Sequence, residues 1–205
     1  MTRQPFIVAL GGTASPQSST EQALRLAIAA AEKRGARVAL FTSDVLTALP
    51  HYTTPACMDN AHAIALVDAI RQADGLILAS PGYHGTVSGL VKNAIDYFEE
   101  TAKDRRVYVD GLPVGLIATA YGWQAAGNTL ATLRNIVHAL RGWPTPFGAA
   151  LNTSGGVFKN GVCHSETVAA QLDLIGKQVF EFAQRHAMGD AAAEAGAVLS
   201  QAHAS

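Results

Sequence analysis

The residues with chemical potential fall in three short stretches, each directly after an apolar run. The first reads Gly11-Gly12-Thr13-Ala14-Ser15-Pro16-Gln17-Ser18-Ser19-Thr20 and follows Phe6-Ile7-Val8-Ala9-Leu10. It offers hydroxyls from three Ser and two Thr, with neither Lys nor Arg. Apolar residues at helical spacing resume after Glu21, so the stretch joins a buried strand to a helix. Hydroxyls and unpaired backbone N–H groups at a helix start, where the dipole favours negative charge, suit a phosphate. The same residues also suit a plain strand–helix turn, because Ser18-x-x-Glu21 fits a capping box. Both remain open on this stretch alone. The second stretch is Ser80–Thr86, with Pro81, Gly82, Tyr83, His84 and Gly85. The third is Thr119–Gly127, with Ala120, Tyr121, Gly122 and Trp123.

Other chemistries are poorly served. The seven histidines are scattered, and no His/Cys spacing makes a metal site. Cys57 and Cys163 form no CxxC pair, which fits a reduced cytoplasmic protein. No grouping reads as a nucleophile–base triad, so no catalytic side chain is assigned. His84 invites a proton-donor role, but a loop histidine more often packs or hydrogen-bonds. Tyr83, with an ordinary phenol pKa of about 10, reads as a wall.

The elements that position these stretches alternate. Phe6–Leu10 is strand one. Glu21–Arg34 is a helix with Leu24, Ala27, Ile28 and Ala31 inward, closed by Gly35. Arg37–Thr42 is strand two. Ser43–Asn60 reads as an irregular connection. Asp59 or Asn60 caps a helix that runs to Gln72 and turns Ile64, Val67 and Ile70 inward. Gly75–Ala79 is strand three, and Val87, Leu90, Val91, Ala94, Ile95 and Phe98 form one stripe of the next helix. Glu99–Gly111 is a polar connection in which Arg105 and Arg106 read as solvated. Val114–Ala118 is strand four. A helix with Leu130, Leu133, Val137 and Leu140 follows, stopped by Gly142-Trp143-Pro144, where Trp143 reads as packing. Phe147–Leu151 is a short strand five, and Val168, Leu172, Ile175, Val179 and Phe182 build the last helix. Residues 1–187 read as one domain and 188–205 as a mobile Ala-rich tail.

Five β-α alternations with fully apolar strands imply a three-layer α/β fold around a parallel sheet. Ligands in such folds bind beyond the carboxyl ends of the strands, where strand order reverses. The three stretches all follow strands one, three and four. A chain 49% hydrophobic and 15% charged folds rather than staying disordered. Its net charge of −1 supplies no basic field for nucleic acid, and no apolar run approaches a membrane span.

Two motifs in this order resemble those of the NAD(P)H-dependent FMN reductases. Gly12-Thr13-Ala14-Ser15-Pro16-Gln17-Ser18-Ser19-Thr20 is similar to that family's Gly-Ser-x-Arg-x-x-Ser-x-Thr/Asn loop. Pro81-Gly82-Tyr83-His84-Gly85-Thr86, with Gly89-Leu90-Val91-Lys92-Asn93-Ala94-Ile95-Asp96, is similar to its second motif. The resemblance spans residues 5 to 185. It implies a flavodoxin-like fold with a five-stranded parallel sheet in the order 2-1-3-4-5. It implies FMN as cofactor and NAD(P)H as reductant. Thr13, Ser15, Ser18, Ser19 and Thr20 would meet the phosphate. Pro81, Gly82, Tyr83, His84, Gly85 and Thr86 would line the flavin ring, with Gly82 and Gly85 admitting the backbone close to it. Ala120, Tyr121, Gly122 and Trp123 would close its far side. Ser15 replaces the family's Arg, which removes one charge-assisted phosphate contact and favours exchangeable flavin.

Hydride transfer between stacked nicotinamide and flavin is the reaction implied. Two enzymatic outcomes stay open. The chain either supplies reduced FMN to a flavin-dependent monooxygenase, or keeps FMN and passes electrons to a quinone or azo compound. A non-enzymatic electron carrier fits less well, since flavodoxins are usually strongly acidic. A scaffold without cofactor rests only on Ser15. The resemblance also implies a homodimer or homotetramer, with Tyr97, Phe98 and Tyr108 as candidates for an apolar contact surface.

Overall fold

The strands foreseen from the apolar runs are covered by helices on both faces. The computed structural model describes residues 3–159 and 161–202. The main sheet contains β1 (Phe6–Gly11), β2 (Arg37–Phe41), β3 (Gly75–Tyr83), β4 (Thr86–Val87), β5 (Pro113–Ala120) and β6 (Trp143–Asn152). Five of these run parallel in the order β2-β1-β3-β5-β6, the 2-1-3-4-5 order expected of the five foreseen strands. The sixth, β4, is a two-residue antiparallel partner to the end of β3 that was not foreseen. A separate hairpin, β7 (Phe158–Lys159) with β8 (Val162–Cys163), was also unforeseen.

Alternate residues of each strand face opposite ways. Ile7, Ala9, Ile77, Ala79 and Ile117 pack beneath α1 (Ser19–Glu32) and α6 (Glu166–Ala202). Val8, Leu10, Leu76, Leu78, Val114 and Leu116 pack against α2 (Ser43–Ala48), α3 (Ala61–Gln72), α4 (Gly89–Asp96) and α5 (Trp123–Ala139). Each fully buried Leu or Ile here contributes about 1.5–3 kcal/mol. A close helix–helix approach joins α1 to α6: a Cβ on Gly176 would lie 2.2 Å from the carbonyl oxygen of Ala27.

Several expectations are corrected. Ser43–Asn60 is not irregular throughout, since α2 and a 3-10 turn at Cys57–Asp59 occupy part of it. Asn60 caps α3 by accepting from His62 N–H and Ala63 N–H. Ile64 faces solvent, because Ala63 and Leu66 take the inward positions with Val67 and Ile70. Phe182 is likewise partly exposed, and Phe180 and Ala183 are buried in its stead. Tyr97 and Phe98 are core residues rather than subunit surface. Tyr97 stacks edge-on against Tyr52 and donates its hydroxyl to Pro50 O at 2.8 Å. Trp143 is 67% exposed, on β6 rather than in the core. Arg106 is engaged rather than solvated: it donates to the carbonyls of Ile70, Arg71 and Ala73 at the end of α3, where a cation offsets the helix dipole. The backbone of the foreseen tail continues α6 to Ala202, and residues 203–205 lie outside those described.

Candidate functional site

The strand register brings the three stretches together. Gly11 pairs with Ala79, and Pro81 pairs with Thr119, so the carboxyl ends of β1, β3 and β5 stand side by side. Gly11 is the only residue type that fits its place. Its φ is +154°, and a Cβ there would lie 2.1 Å from Ala79 O.

From that point the first connection climbs to α1. Thr13 Oγ1 accepts from Ser15 N–H at 3.1 Å and closes a small turn. Ser18 is the N-cap: its Oγ accepts from Glu21 N–H at 3.3 Å. Only half of the foreseen capping box forms. Rather than returning to the cap, the Glu21 carboxylate accepts from Arg25 Nε and Nη2 at 2.9 and 2.8 Å and from Ser43 Oγ at 3.2 Å. The N–H groups of Ser19 and Thr20, in the first turn, precede any helical acceptor. Thr13, Ser18 and Ser19 are half-buried and Ser15 is exposed. Thr20 differs. Its side chain is buried, and its Oγ1 lies 2.6 Å from Thr119 Oγ1 at the end of β5. Gln22 donates its side-chain amide to Gln17 O, and its Oε1 is a buried acceptor without a partner among the described residues.

The second stretch is a β-hairpin. β3 outruns its parallel neighbours and turns back through His84 and Gly85, at φ of +50° and +91°, into β4. Two consecutive positive φ values match the two-residue turn that suits strand twist, and the glycine serves that turn. Ser80, fully buried, accepts from Ser88 N–H at 3.0 Å and ties the hairpin's base to the N-cap of α4. Gly82 answers to a different neighbour than foreseen: a Cβ there would lie 2.7 Å from Thr129 Oγ1 and 3.2 Å from Ala125 O on α5. A Cβ on Gly85 would meet open space. Tyr83, His84, Gly85 and Thr86 are exposed, while Pro81 is buried within the sheet.

The third stretch leaves β5 at Ala120, whose carbonyl accepts from Thr153 N–H at 2.8 Å. Gly122 is the N-cap of α5 and offers no side-chain cap. Tyr121 and Trp123 are 82% and 68% exposed. Together with Tyr83 they give this edge a rim of large rings. A fourth connection, unnoticed in the sequence, borders it: Asn152 Oδ1 accepts from Ser154 N–H at 3.0 Å and from Ser154 Oγ at 2.7 Å. Its signal was only the Asn-Thr-Ser-Gly-Gly run after β6.

The arrangement joins an amide- and hydroxyl-lined helix start to an open edge flanked by aromatic rings. Among the described residues, no group of three or more His, Cys, Asp and Glu is placed to hold a metal ion. No helix among them is long and apolar enough to cross a membrane.

Comparison with known proteins identifies the family and the fold. The family model for NADPH-dependent FMN reductase matches residues 5–155. An FMN-dependent NADPH-azoreductase of Staphylococcus haemolyticus is 37% identical over 87 residues, 42% of this chain and 43% of that protein. One from Staphylococcus aureus is 39% identical over 89 residues, 43% of this chain and 44% of that protein. The matched stretch thus spans less than half the length of these curated relatives. Among solved structures, the flavoenzyme NAD(P)H:(acceptor) oxidoreductase FerB from Paracoccus denitrificans superposes with a TM-score of 0.68 at 20% identity, covering 89% of this chain and 98% of that one. The NADH:FMN oxidoreductase EMOB gives 0.62 at 22% identity, covering 88% and 89%. At such identities the likeness speaks to the flavodoxin-like fold.

Proposed function

We propose that this chain, which belongs to the NADPH-dependent FMN reductase family, holds FMN at the carboxyl edge of β1, β3 and β5 and reduces it with NAD(P)H. The observation that carries the proposal is the meeting of three glycine- and hydroxyl-bearing connections at one edge of the sheet. A phosphate monoester fits the first turn of α1, where Thr13, Ser15, Ser18 and Ser19 bring hydroxyls and Ser19 and Thr20 bring N–H groups. Thr20 serves through its backbone, since its hydroxyl is engaged by Thr119. The orphan acceptor on Gln22 suits a ligand hydroxyl. Pro81, Gly82, Tyr83, His84, Gly85 and Thr86 form one wall for a planar ring, and Ala120, Tyr121, Gly122 and Trp123 the other. Open space over Gly85 and Gly122 supports that placement.

FMN bound there supplies the hydride-accepting ring. The chain's task is alignment and the exclusion of water. The hairpin and the start of α5 would flank the bound ring and orient a reductant toward it, which turns a bimolecular encounter into a positioned one. Backbone N–H groups of the hairpin would offer donors to the negative charge that develops on a reduced flavin.

A second reading, bound FMN that passes electrons to an azo or quinone acceptor, draws support from the exposed rings of Tyr83, Tyr121 and Trp123, which suit a planar acceptor. Supply of reduced FMN to a monooxygenase is the outcome if flavin exchanges. We place the activity in one domain over residues 1–187, in a cytoplasmic setting that accords with two unpaired cysteines. A homodimer or homotetramer completes the proposal, and sedimentation tests it. Purified protein is titrated with FMN and assayed for NAD(P)H oxidation with and without added FMN. Oxidation only with added FMN marks flavin supply, and oxidation with an azo dye on as-purified yellow protein marks the second reading. Absence of both FMN binding and NAD(P)H oxidation overturns the proposal.

A further inference from the structure

Glu21 is the only Asp, Glu, Lys or Arg in the buried class among the described residues. It sits in the first turn of α1, the turn assigned above to the flavin phosphate, and that assignment gives it no task. A Cβ built on Gly12 of the same loop would lie 3.9 Å from Glu21 Cβ. A carboxylate accepts hydrogen bonds and donates none, so it cannot ligate a phosphate oxygen. Buried charge is screened less by salt than exposed charge, so it opposes a nearby anion effectively. Among the described residues its one ion-pair partner is Arg25, whose Nε and Nη2 both donate to one carboxylate oxygen, while neutral Ser43 Oγ donates to the other. From Arg3 to Arg25 the chain has no other Lys or Arg.

We propose that Glu21 and Arg25 together set how tightly this chain retains FMN: Glu21 opposes the phosphate, and Arg25 cancels most of that opposition from the next helical turn. The inference rests on the flavin placement above. It assigns the exchange of flavin to a built-in charge as well as to the absence of Arg at position 15. Glu21 and Arg25 act here as positioning and electrostatic residues and touch no reacting atom.

The test is an equilibrium titration of wild type, Glu21→Gln, Arg25→Gln and the double variant with FMN and, in parallel, riboflavin, which lacks the phosphate. Glu21→Gln keeps the shape and an acceptor for Arg25 or Ser43. It is expected to tighten FMN by about tenfold, the scale of one unit charge acting across partly buried surroundings. Arg25→Gln is expected to weaken FMN by about tenfold, and the double variant to return near wild type. Riboflavin affinity stays unchanged in all four. Equal shifts for FMN and riboflavin, unchanged FMN affinity in both single variants, or weaker FMN in Glu21→Gln overturn the inference while leaving the flavin site in place. Thermal melts identify a folding defect in Glu21→Gln, and Arg25→Gln, at an exposed side chain, then decides. A wild-type chain that takes up neither flavin removes the site and this inference with it.

Discussion

Replacing Thr20 by Val tests whether that hydroxyl serves the fold or the ligand. Valine nearly matches threonine in shape, so the change removes one hydroxyl and little volume. The hydroxyl it removes lies 2.6 Å from Thr119 Oγ1, and both side chains are buried. Thr20→Val therefore leaves Thr119 Oγ1 without its partner, at a cost of about 1–3 kcal/mol. Thr119→Val costs a similar amount for the same reason. Removing both hydroxyls strands neither, so the double variant is expected to be no worse than the poorer single one. The coupling energy in the cycle is then about 1–3 kcal/mol. For a chain of this size each kcal/mol moves the melting temperature by about 2–4 °C. Urea unfolding of the four proteins measures the coupling, and FMN titration of the same samples measures the ligand side. Additive losses would refute the pairing. A Thr20→Val protein of normal stability that has lost FMN more than tenfold would show that the hydroxyl belongs to the phosphate.

Other outcomes follow from single contacts. Ser18→Ala removes the cap on Glu21 N–H and lowers stability by about 1 kcal/mol in chemical denaturation; if the hydroxyl also donates to phosphate, FMN titration shows a further loss of about tenfold. Gly82→Ala drives a Cβ against Thr129 Oγ1 and Ala125 O and destabilises by about 1–3 kcal/mol, with unchanged stability as the contrary result. Gly85→Val forces a β-branched residue to φ +91°, costing about 1–3 kcal/mol, and places methyl groups in the open space beside the hairpin; calorimetry and flavin titration follow the two effects separately. Gly176→Ala gains about 1 kcal/mol of helix propensity but meets the Ala27 carbonyl, so the net change in unfolding free energy is a loss.

The three-layer architecture was legible because continuous apolar strands alternate with striped helices, and the strand order followed from the family resemblance. Ile7 and Ala9 against Val8 and Leu10 already divide the two cores. What escaped depends on partners distant in sequence. Ile64 and Phe182 satisfy a helical stripe as well as their neighbours do, and only packing against the sheet buries Leu66 and Phe180 in their place. Tyr97 is buried because Pro50 offers a carbonyl to its hydroxyl, a contact invisible from either segment alone. At the candidate site, the loop positions were legible from residue type, but their hydrogen bonds were not. Thr20 and Thr119 are 99 residues apart, and nothing local marks them as a pair. Glu21 reads as the far half of a capping box in sequence; its i,i+4 partner Arg25 is local to α1, whereas Ser43, 22 residues on, meets it only in the fold.

The contact between Gly176 and Ala27 bears on how the molecule opens. At Gly176 the two backbones approach with no side chain between them. Amide protons of α1 around Ala27 to Ala31 then exchange with solvent only when α1 and α6 part, which dismantles one whole face of the sheet. The hairpin at Tyr83–Thr86, exposed and bordered by open space, exchanges through small local openings. The same sheet thus carries a slowly exchanging helix pair on one face and a readily exchanging hairpin at its carboxyl edge.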